Sequence, residues 1–220
     1  MSPRTIFEHE LEELRASVTR MGEQIEQVYA KLFQALKQKN REEMENIVQD
    51  DRIINDMQRN IEARCLTLLT KQQPVARDLR MVSAALKVVT DIERVGDHVS
   101  DMAELFLRMD MPVLSEFSES LPEMVDAAKR SVCEAVDAFV DRNLEDAREV
   151  IAYDDVIDDY FNKVKEDLIK DLKEGKKDPD ACIDAIMITK YLEKIGDHAV
   201  NIGEWAIFQE TGNIDDVRLL

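Results

Sequence analysis

The 220-residue chain has little of what makes bridges, turns or sheets. It carries three cysteines, five prolines, six glycines and one tryptophan, and aromatics make up 5%. Cys65, Cys133 and Cys182 lie far apart and form no CxxC pair, which argues against a disulfide framework and suits small reduced core residues. So few prolines and glycines disfavour a turn-rich β fold and favour long helices. The shortage of aromatics leaves Leu, Ile, Val, Ala and ten methionines to fill the core, and methionine suits irregular gaps between helices. No apolar run approaches the roughly 20 residues of a membrane span. Arg4, Glu8, Glu10, Glu12 and Glu13 stand where a signal peptide would be apolar. These absences predict a soluble, cytoplasmic chain with no direct membrane insertion.

Basic charge is also scarce: 29 Lys and Arg against 47 Asp and Glu give a net charge of −18. Nucleic acid and anionic lipid are therefore poor partners, whereas cations or basic protein surfaces are good ones. No nucleophile–base pair, phosphate loop or dinucleotide fingerprint occurs, so catalysis has no support in the sequence.

What is present is helical periodicity, written twice. Leu11, Leu14, Val18, Met21, Ile25, Val28, Leu32 and Leu36 recur at spacings of three and four, which predicts a helix over about 5–38. Asn40 with Glu43 starts a second helix that runs to about Leu69, and a third fits between Pro74 and Pro112. A Pro- and Ser-rich stretch, Met109 to Pro122, reads as a linker. The pattern then restarts, with Asn143 and Asp146 as the next cap and Asp178-Pro179 opening the last helix. The expected fold is all-α: two tandem three-helix bundles related by an internal repeat, over 1–110 and 123–220, with a linker at 111–122.

Within the repeat, Glu93-Arg94-Val95-Gly96-Asp97-His98 returns as Glu193-Lys194-Ile195-Gly196-Asp197-His198. At about 100° per residue, Glu93, Asp97, Asp101 and Glu104 form one acidic ladder, and Glu193, Asp197, Asn201 and Glu204 a second. Asp51, one turn from Asn55, edges the apolar stripe Ile47, Ile54, Ile61 and Cys65; Asp154 and Asp158 edge Val150, Ile157, Val164 and Leu168. Two carboxylates about 5 Å apart repel by about 3 kcal/mol at an effective dielectric near 20. Helices packed on one another would bring several such groups together, so protonation, an arginine or a metal must relieve them. Arg94 and Lys194 lie about 100° around the helix from the first acid of each ladder, which makes them poor neutralisers. Oxygen-only donors suit hard cations such as Mg²⁺, Mn²⁺, Ca²⁺ or Fe³⁺. An acidic groove for a basic partner is the competing reading.

His98 and His198 lack the Glu-x-x-His spacing of a di-iron oxidase and read as structural. Gly96 and Gly196 in mid-helix point to close helix approach.

The segment Gln73-Pro74-Val75-Ala76-Arg77-Asp78-Leu79-Arg80, together with the two hexapeptides extended back to Asp91-Ile92 and to Tyr191-Leu192, resembles the PhoU family of phosphate-uptake regulators over about residues 5–210. The resemblance implies two three-helix bundles with multinuclear metal clusters, of iron, zinc, manganese or magnesium, on the ExxxD motifs. It implies first-cluster ligands from Glu93, Asp97 and Asp101 faced by Asp51 and Asn55, and second-cluster ligands from Glu193, Asp197 and Asn201 faced by Asp154 and Asp158. Asn55 and Asn201 are neutral, so neither set is fully acidic. The family also implies a negative regulator of phosphate uptake and of the phosphate-starvation response. Such a protein is a cytoplasmic adaptor, and a homodimer, between the phosphate ABC transporter ATPase and a sensor histidine kinase. A metal-storage protein or metal-dependent enzyme on a helical scaffold is the alternative. Arg77 and Arg80, absent from the second repeat, are candidate partner contacts, with packing or ion pairing of their loop as the other reading.

Overall fold

The computed structural model describes residues 3–72, 74–214 and 217–218. Six long helices follow one another: α1 (Pro3–Gln38), α2 (Arg41–Gln72), α3 (Arg77–Arg108), α4 (Ser120–Asp141), α5 (Leu144–Glu174) and α6 (Pro179–Thr211). A short 3-10 turn, Leu114–Glu116, lies between α3 and α4. The two-residue strands β1 (Asn213–Ile214) and β2 (Val217–Arg218) pair antiparallel after α6. Among the described residues no helix is long and apolar enough to cross a membrane.

The helix boundaries follow from capping. Asn40 Oδ1 accepts from the Glu43 backbone N–H at 3.1 Å; Asn143 Oδ1 accepts from those of Glu145 and Asp146 at 3.0 and 3.4 Å. Each asparagine also gives its own N–H back to the preceding helix, Asn40 to Ala35 and Asn143 to Ala138, at 2.9 and 3.0 Å. The residue before each, Lys39 or Arg142, is left-handed. The α1–α2 and α4–α5 connections are thus one device used twice. Asp178 caps α6 through Ala181, with Pro179 at a position whose N–H has no helical acceptor.

Two boundaries differ from the periodicity. Helix α2 continues to Gln72, beyond Leu69, and α4 begins at Ser120, so Pro122 lies inside its first turn. Proline is tolerated there because first-turn N–H groups lack an i−4 partner.

The stripes read from the sequence are the core. Met81, Ala85, Val88, Ile92, Val95, Val99 and Met102 of α3 are buried, as are Val150, Ile157, Val164 and Leu168 of α5. One continuous apolar core runs through both repeats. Its spine is α3 against α6, and these two helices run antiparallel: Arg108 pairs with Asp184, while Asp91 meets Asn201. Cys65 and Cys182 are buried and Cys133 half-buried, all three free. Burial pushes the thiols of Cys65 and Cys133 up, to about 12 and about 11, which keeps them protonated.

Candidate functional site

The acidic ladders stand where α2 crosses α3 and where α5 crosses α6. Asp51 sits between the buried Ile47 and Ile54, and Asp154 between the buried Val150 and Ile157, so each carboxylate is carried toward the facing helix by its apolar neighbours. Close approach depends on the mid-helix glycines. A Cβ on Gly96 would stand 3.0 Å from Ile54 Cδ1, and one on Gly196 would stand 2.9 Å from Ile157 Cδ1 and 3.2 Å from Asp154 Oδ1. Both glycines do what their recurrence suggested.

The crowding of acids shows in their proton affinities. Burial first, then Asp158, Asp197 and Glu193, pushes the Asp154 carboxyl up to about 6. Asp51 is raised by burial and by Asp97, against a lowering hydrogen bond from Asn55 Nδ2 at 2.8 Å, with a smaller push from Asp101. Glu93 is raised by burial and then by Asp97, against the lowering pull of Arg94. Facing helices therefore do bring their acids into one another's field.

Arg94 and Lys194 correct the sequence reading: they are the neutralisers. Arg94 donates from Nη1 to Asp97 at 2.9 Å and lies 3.6 Å from Glu93. Lys194 forms a short contact with Asp97's counterpart, Asp197, and lies 3.6 Å from Glu193. Both corrections have one cause. The 100° rule places Cβ atoms, whereas a long cationic side chain lies along the helix surface and reaches the i+3 acid. Lys190, three residues before Glu193, was missed and spans both of its oxygens at 2.7 and 2.6 Å.

The outer ends of the ladders turn toward the opposite repeat. Asn201 donates to Asp91 of α3 at 3.1 Å, and His198 Nδ1 lies 2.8 Å from the same Asp91 oxygen. In the mirrored position Tyr191 of α6 faces Asp101, and burial followed by that carboxylate's charge raises the pKa of the tyrosine hydroxyl. His98 stacks on Tyr191, centroids 5.3 Å apart, and lies 5.6 Å from His198. Both histidines thus lie in a polar seam between the halves. Asp91 and Tyr191 occupy equivalent repeat positions, two residues before Glu93 and Glu193, and open the two motif copies; the sequence assigned neither of them a role.

The donors that remain, carboxylates and an amide, suit a hard cation in their chemistry. Among the described residues, however, no three His, Cys, Asp or Glu side chains already form a metal-holding group. The acids face one another while part of their charge is met by Arg94, Lys190 and Lys194.

Arg77 and Arg80 lie at the start of α3 and engage the end of α6. Arg77 clamps both Glu210 oxygens at 2.9 and 2.7 Å, and Arg80 donates to the Gln209 and Glu210 carbonyls at 3.4 and 3.3 Å. Gln73 of the same motif lies outside the described residues.

A tandem repeat of three-helix units, joined along an α3–α6 spine and bearing a carboxylate ladder in each half, defines an all-α repeat scaffold. The PhoU domain model matches residues 18–106 and 121–206, one copy per repeat, and the chain belongs to the PhoU family. It is 35% identical over 216 residues to the phosphate-specific transport system accessory protein PhoU homolog of Clostridium acetobutylicum, covering 98% of this chain and 99% of that one. It is 30% identical to PhoU homolog 1 of Methanothermobacter thermautotrophicus, covering 95% and 96% of the two chains. The crystal structure of the phosphate transport system regulatory protein PhoU from Streptococcus pneumoniae superposes with a TM-score of 0.87 at 28% identity, over 96% of this chain and all of that one. PhoU from Pseudomonas aeruginosa superposes with a TM-score of 0.85 at 30% identity, over 94% and 100%.

Proposed function

We propose that this protein is a cytoplasmic accessory regulator of a phosphate-specific transport system, without a catalytic step of its own. It restrains phosphate uptake and the phosphate-starvation response by bridging the phosphate ABC transporter ATPase and a sensor histidine kinase, as a homodimer. The observation that carries this reading is the full-length match, through both repeats, to proteins named as phosphate-specific transport accessory proteins.

The ladders serve as metal sites in this reading. Glu93, Asp97, Asp101 and Asp51, with Asn55, hold ions in the first half; Glu193, Asp197, Asp154 and Asp158, with Asn201, hold them in the second. Iron, zinc, manganese or magnesium would supply positive charge that Arg94, Lys190 and Lys194 meet only in part. What supports this is the upward push on Asp51, Glu93 and Asp154, which comes from burial first and then from neighbouring carboxylates.

Deleting the gene is expected to derepress phosphate uptake and phosphate-responsive expression when phosphate is plentiful. Unchanged uptake and expression in the deletion strain would remove the regulatory reading. Pull-down at high phosphate should recover the transporter ATPase and the kinase.

A further inference from the structure

Around the start of α3, guanidinium groups from several parts of the fold converge. Arg15 comes from α1, Arg77 and Arg80 from the first turn of α3, and Arg142 from the residue that closes α4. Arg15 Nη2 lies 3.7 Å from Met81 Sδ, and Arg142 Nη2 lies 3.6 Å from the same sulfur. Met81 is buried. Two cations are therefore held against one thioether, which is only a weak acceptor. The Nε atoms of both Arg15 and Arg142 are shut off from solvent and make no hydrogen bond. Arg142 Nε has Glu210 Oε1 at 3.6 Å, an ion pair too long for a hydrogen bond. Buried donors without an acceptor are rare and costly, and two on neighbouring like-charged groups call for a partner.

The local charge is lopsided as well. Among the described residues Glu210 is the carboxylate within ion-pair reach of this cluster, and Arg77 takes both its oxygens. Arg80 is met by backbone carbonyls, which are neutral. In a chain of net charge −18, Arg15, Arg80 and Arg142 are left with a surplus of positive charge.

We propose that Arg15, Arg80 and Arg142 form a binding site for a dianionic tetrahedral oxyanion of the phosphate class. Guanidinium forks pair best with oxyanions that can accept two parallel bonds. A dianion matches the surplus charge. A tetrahedral group offers oxygens to more than one fork at once, whereas a carboxylate offers two oxygens and one charge. Arg142 keeps 21% of its side-chain surface open, which leaves an approach for a small ion. Glu210 competes with that ion for Arg142. The site is remote from the acidic ladders and does not depend on the transport reading.

Calorimetric titration of the full chain with inorganic phosphate, sulfate and phenyl phosphate, in excess EDTA, tests it. The chelator removes any metal at the ladders, so failure here is distinct from failure of the metal sites. Saturable binding of phosphate and sulfate is expected, weakened at least tenfold by Arg142→Gly and by Arg15→Gln. Residue 142 has φ 58, which glycine adopts freely, so Arg142→Gly removes the guanidinium and keeps the turn. Circular dichroism and melting check that both variants fold. Glu210→Gln is expected to tighten binding, and weaker binding there counts against the site. Phenyl phosphate binding as well as phosphate supports the site with a phosphate ester as its ligand; its rejection supports it with the free ion. No saturable binding of phosphate or sulfate overturns the proposal, as does binding that both arginine variants leave unchanged.

Discussion

Asp154 of α5 rests against the bare backbone of Gly196 in α6: a Cβ on the glycine would stand 3.2 Å from Asp154 Oδ1. The glycine lies between Glu193 and Asp197 in the ladder, so a missing side chain is what admits the third acid. Packing and charge are coupled at this one crossing.

Gly196→Ala is expected to lower stability by about 1 kcal/mol. Alanine gains about 1 kcal/mol of helix propensity over glycine, but the new methyl meets buried Ile157 Cδ1 at 2.9 Å, and overpacking costs about 1–3 kcal/mol. Gly96→Ala meets Ile54 at 3.0 Å and no carboxylate, so its loss is smaller. Urea unfolding of both variants measures this. A Gly196→Ala protein more stable than its parent would contradict close approach as the reason for the glycine.

The metal-free protein is expected to lose stability as pH rises from about 4 to about 6. Asp154 is pushed from its ordinary 3.8 up to about 6, by burial first and then by Asp158. In that window the native state keeps the proton and the unfolded chain releases it, so the stabilisation is full below 3.8 and gone above 6. A shift of two units corresponds to about 3 kcal/mol. Because Asp154 is partly exposed, solvent screening reduces this to about 1 kcal/mol. Asp154→Asn should flatten the slope; urea midpoints that fall just as steeply in the variant would assign it to other groups.

A hard divalent cation added to chelated protein at pH 7 is expected to raise the melting temperature. At a hundred times its Kd a ligand stabilises by about 2.7 kcal/mol. The double variant Asp154→Asn with Asp197→Asn should lose the part of the rise that belongs to the second ladder. An identical rise in parent and variant, read by differential scanning fluorimetry with Mn²⁺, would place the bound ion elsewhere.

Asn40→Ala and Asn143→Ala are each expected to cost about 1 kcal/mol, the usual loss of a side-chain cap. Each asparagine satisfies N–H groups at the start of a long helix. Equal losses would show that the repeat is energetic as well as geometric, and thermal unfolding of the pair decides it.

The sequence by itself determined the six helices, their caps and the two ladders. Those features are local: a capping asparagine and a stripe at spacings of three and four depend on the nearest few residues. Local rules failed where side chains are long. Arg94 and Lys194 were judged by where their Cβ atoms point, and their charged ends travel to Asp97 and Asp197. Only the tertiary structure decided that Asp91, His198 and Asn201 meet across 107 to 110 residues, and that Arg15 and Arg142 converge on Met81. These arrangements follow from the antiparallel docking of α3 on α6 and of α1 and α4 beside them. The periodicity of one helix shows which face is buried, but the register between two helices is set by how their side chains interlock.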